Sequence, residues 1–149
     1  MMISELEKKI LKSLNQNARK SFRKVAKEVG TSTTAIYNNV KKLEKSGILK
    51  GYIPLIDEEL LGHNYTSLIA LRVTQGKLYD VYKAIAKYPQ VRSIYDITGD
   101  WDSVIICSFK RRKELDDFLK NKLALPYIER VITHVVLNII KDEKRALIE

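Results

Sequence analysis

The 149 residues include one cysteine, one tryptophan, two histidines, three prolines and three phenylalanines, and several of these scarcities exclude a class of protein. The single thiol, Cys107, lies in the apolar run "SVIICSF", which rules out a disulfide framework or a cysteine-rich metal site and suits a small buried hydrophobe. His63 and His134 are far apart, and no HxxxH or cysteine cluster offers ligand spacing, so no metal site is expected. No apolar run approaches the roughly 20 residues of a membrane span. The start "MMISELEKKI" carries acids where a secretory signal would be basic and then apolar, so a cytoplasmic location is expected. Acid–base chemistry is poorly provided for: Asp96 falls inside a predicted strand and Asp100 and Asp102 in a tight turn, with no nucleophile or substrate-fixing motif beside them. No enzyme, catalytic residue or cofactor is expected.

Carboxylates are scarce in one region only. The formal charge is +9; residues 1–50 hold 12 Lys+Arg against 4 Asp+Glu, a net of +8, while residues 51–149 hold 15 against 14, a net of +1. An excess confined to the first third suggests that this third meets a polyanion, while the remainder has another task.

Within that third, Ile3, Leu6, Ile10, Leu11 and Leu14 recur at helical spacing, which predicts a helix over residues 4–15 that "NQNARK" breaks. Ser21 is placed to cap a short second helix with Phe22, Val25, Ala26 and Val29 inward, and Gly30 to end it in the left-handed conformation. Ser32 can cap a third helix with Ala35, Ile36, Val40 and Leu43 inward. Gly47 closes it, with Ile48 expected to fold back on Leu43. A short helix, a tight Gly turn and a longer helix make a helix-turn-helix.

"ILKGYIPLID" is extended and apolar with Pro54 inside, hence an edge strand or connector, and "DEELLGHN" is a linker. Beyond it the pattern predicts a strand over 66–74, a helix with Leu78, Val81, Tyr82, Ile85 and Ala86 inward, and strands over 91–98 and 101–109. A helix with Leu115, Phe118, Leu119 and Leu123 inward and a long strand over 131–141 complete it. This βαββαβ order predicts an α+β fold with both helices on one face of a four-stranded antiparallel sheet. The last strand is apolar on both sides, with Val131, Val135, Leu137 and Ile139 on one and Ile132, Val136 and Ile140 on the other. A homodimer or larger assembly that buries the helix-free faces is expected. The expected domains are residues 1–50, a connecting strand and linker over 51–64, and residues 65–149.

On the third helix, Thr33, Thr34, Tyr37, Asn38, Lys41 and Lys45 fall along one side without a carboxylate among them. A merely solvated helix usually pairs acid with base at i,i+4. In a helix-turn-helix the second helix enters the major groove, where Asn matches the donor and acceptor of adenine and Lys neutralises phosphate. Double-stranded DNA is therefore the expected partner. Ser32, Thr33, Thr34, Tyr37, Asn38, Lys41, Lys42 and Lys45 are the candidate contacts.

From "ILKSLNQNARKSFRKVAKEVGTSTTAIYNNVKKLEKSGILKGY" through the βαββαβ half with "ITGDWDSVII", residues 4–149 resemble the leucine-responsive regulator and AsnC family, the feast/famine regulators. The resemblance implies a winged-helix-like DNA-binding domain and a ferredoxin-like (RAM) domain that senses an amino acid, in dimers that assemble to tetramers or octamers. Two departures stand out: "SELEKK" replaces the family's Asp-rich "LDxxD", and Asn39 stands where members often carry Arg.

"TGDWD", Thr98 to Asp102, is expected to be a two-residue hairpin turn at Gly99 and Asp100. Exposed backbone N–H groups there can hold a carboxylate while Asp100 or Asp102 pairs with an ammonium, which suits an amino acid. In the family this loop, here with Trp101, helps form an effector site between dimers, opposite last-strand positions that match Thr133, His134, Val135 and Val136. Two other readings stand beside this one. RNA-recognition domains share the βαββαβ order, but "SVIICSFK" offers only Phe109 for stacking. An architectural DNA-binding protein without an effector needs the same basic domain and differs only in ligand response.

Overall fold

A computed structural model describes residues 3–149. Two compact units emerge: the first runs to Ile56 and takes in Asp142–Glu149, and the second is Asp57–Lys141. The tail Asp142–Glu149, expected with the second domain, thus groups with the first, where the Asn15 amide donates to the Ala146 carbonyl at 2.7 Å.

In the first unit α1 is Glu5–Gln16, α2 Phe22–Val29 and α3 Thr33–Lys45. The "SELE" departure makes a capping box. Ser4 Oγ accepts from the Glu7 N–H at 3.1 Å, and Glu7 Oε2 accepts from the Ser4 N–H at 2.7 Å. Glu7 is 3% exposed, and its other oxygen meets Lys42 Nζ of α3 at 2.8 Å, so its burial is compensated. Ser13 of α1 is buried too; its hydroxyl donates to Glu28 of α2 at 2.6 Å, and Lys20 reaches the same carboxylate at 2.7 Å. Ile10, Leu14, Val25, Ala26, Ile36 and Val40 form the core beneath these polar clamps.

Ser21 and Ser32 cap α2 and α3 by accepting from Lys24 and Ala35 N–H. Gly30, at φ 76°, ends α2 in a conformation that costs a side-chain-bearing residue free energy, so the chain turns at once into α3. The end of α3 differs by one residue from expectation. It is Leu49 N–H, not Ile48, that bonds the Leu43 carbonyl at 3.1 Å, and Leu49 packs on the core while Ile48 is exposed. Residues 51–57 carry no strand, so the apolar connector pairs with nothing in a single chain.

The second unit contains β1 Tyr65–Val73, α4 Leu78–Ile85, β2 Val91–Asp96, β3 Ser103–Phe109, α5 Arg112–Asp117 and β4 Ile128–Val135. The sheet order is β2-β3-β1-β4, antiparallel throughout. Ile69, Leu71, Val73, Ile105, Cys107 and Phe109 lie under Val81, Ile85, Leu115 and Phe118. Burial pushes the Cys107 thiol up to about 12, which leaves it an inert core residue. Two expectations, at Ala86 and at β4, need correction, while Leu123 is inward as expected but by way of a π turn. Ala86 is the exposed C-cap of α4 and does not point inward. After α5 a π turn, Phe118–Lys122, inserts a residue so that Leu123 is buried and donates back to Phe118. β4 begins earlier and stops at Val135; Val136 adds one bond to Thr66, and Leu137, Ile139 and Ile140 lie beyond the sheet.

Hydrogen bonding by Lys42 and then by the Ser4 N–H lowers the Glu7 carboxyl from 4.5 to about 2. A depressed carboxylate stabilises the fold above pH 4.5, and that contribution is lost as pH falls towards 2. Glu7→Gln is expected to lower stability at pH 7 by about 1–2 kcal/mol. Between pH 4.5 and 2 its stability should also fall less steeply than that of the wild type, measured by urea unfolding across that range. Parallel acid limbs would show that Glu7 contributes nothing to the pH dependence.

Candidate nucleic-acid interface and sensor loop

Helical geometry sorts the side chains of α3, because each residue turns ~100° from the last. Ile36, Val40 and Leu43 fill the buried side, which leaves Thr34, Asn38 and Lys45 near the opposite side with Lys41 between them. Among the described residues Asn38, Thr33, Thr34 and Lys45 engage no side chain of the protein and are exposed. Tyr37 is half exposed; its ring meets Phe22 of α2 edge-on at 6.5 Å, and Lys41 Nζ lies 5.6 Å from its centroid. The α3 carboxylate, Glu44, sits in the last turns and accepts from the Tyr52 hydroxyl at 3.2 Å. The N-terminal and central parts of the outward side therefore carry only neutral and positive groups.

Three neighbouring residues are committed elsewhere. Lys42 is the partner of Glu7, so its ammonium ties α3 to α1. Ser32 spends its hydroxyl on capping. Asn39, in the place of the family's frequent Arg, donates to the Ala35 carbonyl at 2.8 Å and is half-buried along its own helix. The exposed cations Arg23, Lys24 and Lys27 of α2 were absent from the sequence-based candidates. Their signal is the i, i+1, i+4 spacing of basic residues opposite Val25 and Ala26.

The loop Thr98–Asp102 is wider than a two-residue turn. The Ile97 N–H donates to the Asp102 carbonyl at 3.1 Å, enclosing Thr98, Gly99, Asp100 and Trp101, with Gly99 at φ 110°. Asp102 clamps the loop to β1. Its N–H donates to the Leu71 carbonyl at 3.0 Å, and its carboxylate accepts at 2.7 Å from the Val73 N–H at the register shift after Arg72. Asp100 keeps its carboxylate free while its carbonyl accepts from Arg72. Arg130 stacks 5.4 Å from the Trp101 ring, opposite Arg72 in the β1–β4 register. These two cations went unnoticed in the sequence, because only the strand register puts them beside the loop.

Thr133 and His134 pair with Ile69 and Leu68, and Val135 with Ser67. From Arg72, which touches the loop, the strand runs ~10 Å to Ile69 and ~17 Å to Ser67. One chain thus does not bring Thr133–Val136 to its own loop.

Other chemistry finds no support among the described residues. Asp96 accepts from the Tyr82 hydroxyl, and Tyr82 is pushed up to about 12 by burial and by that bond. Phe109 is buried under the helices and offers no stacking platform. No group of three His, Cys, Asp or Glu side chains could hold a metal ion, and no helix is long and apolar enough to cross a membrane.

Residues 3–50 match the winged helix-turn-helix DNA-binding family model, and residues 66–146 match the Lrp/AsnC ligand binding domain. The chain is 35% identical over 144 residues to an uncharacterised HTH-type transcriptional regulator of Pyrococcus abyssi, covering 97% of this chain and 98% of the relative. Among solved structures it is similar to AsnC of E. coli, with a TM-score of 0.89 and 25% identity over 96% of this chain and 97% of that one. A Neisseria meningitidis transcriptional regulator in complex with L-Met shares the fold, with a TM-score of 0.87 and 22% identity over 98% and 97%. With both domains matched and a relative aligned along nearly the whole length, the chain belongs to the Lrp/AsnC family of transcriptional regulators, non-enzymatic proteins that join a helix-turn-helix to a ligand-binding domain.

Proposed function

We propose that the protein acts as a two-fold homodimer, assembling further to a tetramer or octamer, that places one α3 in each of two major-groove half-sites and alters its hold on DNA when an amino acid binds. The observation that carries this reading is the outward side of α3, where Thr33, Thr34, Asn38 and Lys45 stand exposed and unengaged. Asn38 reads an adenine edge, Thr33 and Thr34 meet phosphate or a thymine methyl, and Lys41 and Lys45 neutralise the backbone. Tyr37 flanks the contact. Lys42 and Ser32, the remaining candidate contacts, also hold α3 in place, through Glu7 and the Ala35 N–H.

The sheet supports the dimer. Rows Tyr95–Val104–Ala70–Ile132 and Ser93–Ile106–Leu68–His134 cross the helix-free face from β2 to β4. Tyr95, Leu68 and Ile132 are exposed large hydrophobics there, which a monomer seldom leaves uncovered as one patch. The effector site joins Thr98–Asp102 of one chain to Thr133, His134, Val135 and Val136 of another, since a single chain separates them. Loop N–H groups at Gly99 receive the carboxylate and Asp100 the ammonium of the ligand. The fold shared with an L-Met complex agrees with an amino acid as the class of effector.

Selection of bound genomic fragments, with and without a mixture of the standard amino acids, tests the whole reading. A palindromic site whose occupancy changes with the mixture is expected, whereas retention regardless of sequence or mixture would establish the architectural alternative. Light scattering at micromolar concentration should give at least a dimeric mass; a monomer would overturn the sheet-face interface. Asn38→Ala should cost ~1–3 kcal/mol on the selected site and little on random DNA, and equal losses would reassign Asn38 to the backbone. Asp100→Asn should abolish the ligand response while DNA affinity and melting temperature hold. Asp102→Asn should in addition lower the melting temperature, because Val73 loses a charged acceptor.

A further inference from the structure

The near-neutral second part of the chain conceals a basic segment. Residues 110–122, "KRRKELDDFLKNK", carry six Lys+Arg and three Asp+Glu, a net of +3, so the rest of residues 51–149 is net −2. The fold concentrates this charge further. Lys110 and Arg111 end β3, Arg112 and Lys113 open α5, and Lys122 closes the π turn on the helix-bearing side of the sheet. There Lys122 Nζ lies 5.7 Å from the Tyr88 ring and Lys87 Nζ 5.3 Å from it, so the aromatic face is flanked by two ammonium groups. A cleft of about 340 Å³ runs between Tyr88 and Gln90 on one side and Arg111, Lys113 and Lys122 on the other.

The acids that border this cleft are occupied. Glu114 accepts from the Lys110 N–H at 3.1 Å and pairs with Arg111 at 3.0 Å, and Asp117 accepts from the Asn121 amide at 2.6 Å. Asp116 pairs with Lys120 at 2.9 Å. Lys87, Arg112, Lys113 and Lys122 are left exposed with no ion-pair partner among the described residues. Lys113 and Lys122 line one cleft, Lys87 and Lys122 share one ring, and Arg112 adjoins Lys113 in the chain; uncompensated cations grouped in this way repel one another and persist at a cost unless a polyanion meets them. The helix-bearing side also stays in solvent when the opposite, apolar face is covered by a second copy.

We propose that this patch of Lys87, Arg112, Lys113 and Lys122 around Tyr88 is a second DNA contact, binding backbone phosphates outside the half-sites held by α3. It reads no bases: lysine and arginine along the cleft and its rim neutralise phosphate, and the Tyr88 ring fixes two of the ammonium groups. The regulator then holds DNA beyond its operator by the same unit that carries the sensor loop. This rests on α3 being the half-site contact, and the experiment separates the two.

The fourfold variant Lys87→Gln, Arg112→Gln, Lys113→Gln, Lys122→Gln is compared with wild type on a duplex of ~20 bp, two half-sites long, and on one of ~150 bp. On the long duplex the log–log salt slope should become shallower by about 3 for each patch engaged, about 7 for both patches of a dimer, with affinity down on the order of tenfold or more at moderate salt. On the short duplex affinity should be unchanged. Equal losses on both would reduce the effect to net charge, and no loss on either would overturn the contact. If wild type binds the short duplex no better than random sequence, the half-site reading fails while the long-duplex comparison still decides the patch. Wild-type protein offers an independent readout: Lys87, Lys113 and Lys122 should be protected from acetylation by the long duplex and not by the short one, and acetylation at equal rates in both would overturn the proposal.

Discussion

Glu7 is a carboxylate in the interior of a small helical unit, and such a group persists only if every oxygen is answered. Ser4 closes the N-terminus of α1 on one oxygen, and Lys42 reaches down from α3 to the other. The angular position of α3 about its own axis is thereby pinned by polar as well as apolar contacts. Turning the helix about its axis would strip Glu7 of its cation and expose Val40 or Leu43. Asn38 and Lys45 take the outward side opposite the buried stripe of Ile36, Val40 and Leu43, and Lys42, itself largely exposed, ties that orientation to α1 through Glu7.

A comparable constraint organises the second unit. β1 pairs on both edges, with β3 and β4, so its register sets what stands beside what across the whole sheet. Odd-numbered residues from Ser67 to Val73 go under the helices, and even-numbered ones build the helix-free face. The shift after Arg72 frees the Val73 N–H for Asp102, and that bond ties the Thr98–Asp102 loop to the central strand. An event at Thr98–Asp102 is therefore felt directly at β1, whose partner β4 carries Thr133 to Val135.

Much of the architecture was legible. The serine caps of α2 and α3, the Gly30 turn and the inward stripes of α1 to α3 follow from spacing, and the βαββαβ order follows from the alternation of periods, whereas the Ser4 capping box was seen only in the structure. What failed did so for identifiable reasons. Leu49 displaced Ile48 because the helix end is set by which residue reaches the core, a choice that neighbouring apolar residues leave open. β4 stopped at Val135, with a single further bond from Val136 to Thr66, although β1 runs on to Tyr65; the apolar pattern of Leu137 and Ile139 did not carry the strand on. The hairpin widened to four residues because Asp102 was drawn into the pairing with Ile97 and β1.

Local rules thus determined the elements, the basic first third and the polar outward side of α3, since helix spacing, capping and charge act between residues close in sequence. Tertiary structure alone decided which of those polar groups remain free. Lys42 and Lys45 are alike in sequence, yet one is bound to a buried carboxylate 35 residues earlier and the other is left for a partner. Arg72 and Arg130 gain their place at the Thr98–Asp102 loop from strand register, and Lys87 joins Lys122 at Tyr88 only across the fold. Charge pairing in a folded protein depends on distance in space, and sequence spacing specifies that distance within an element but not between elements.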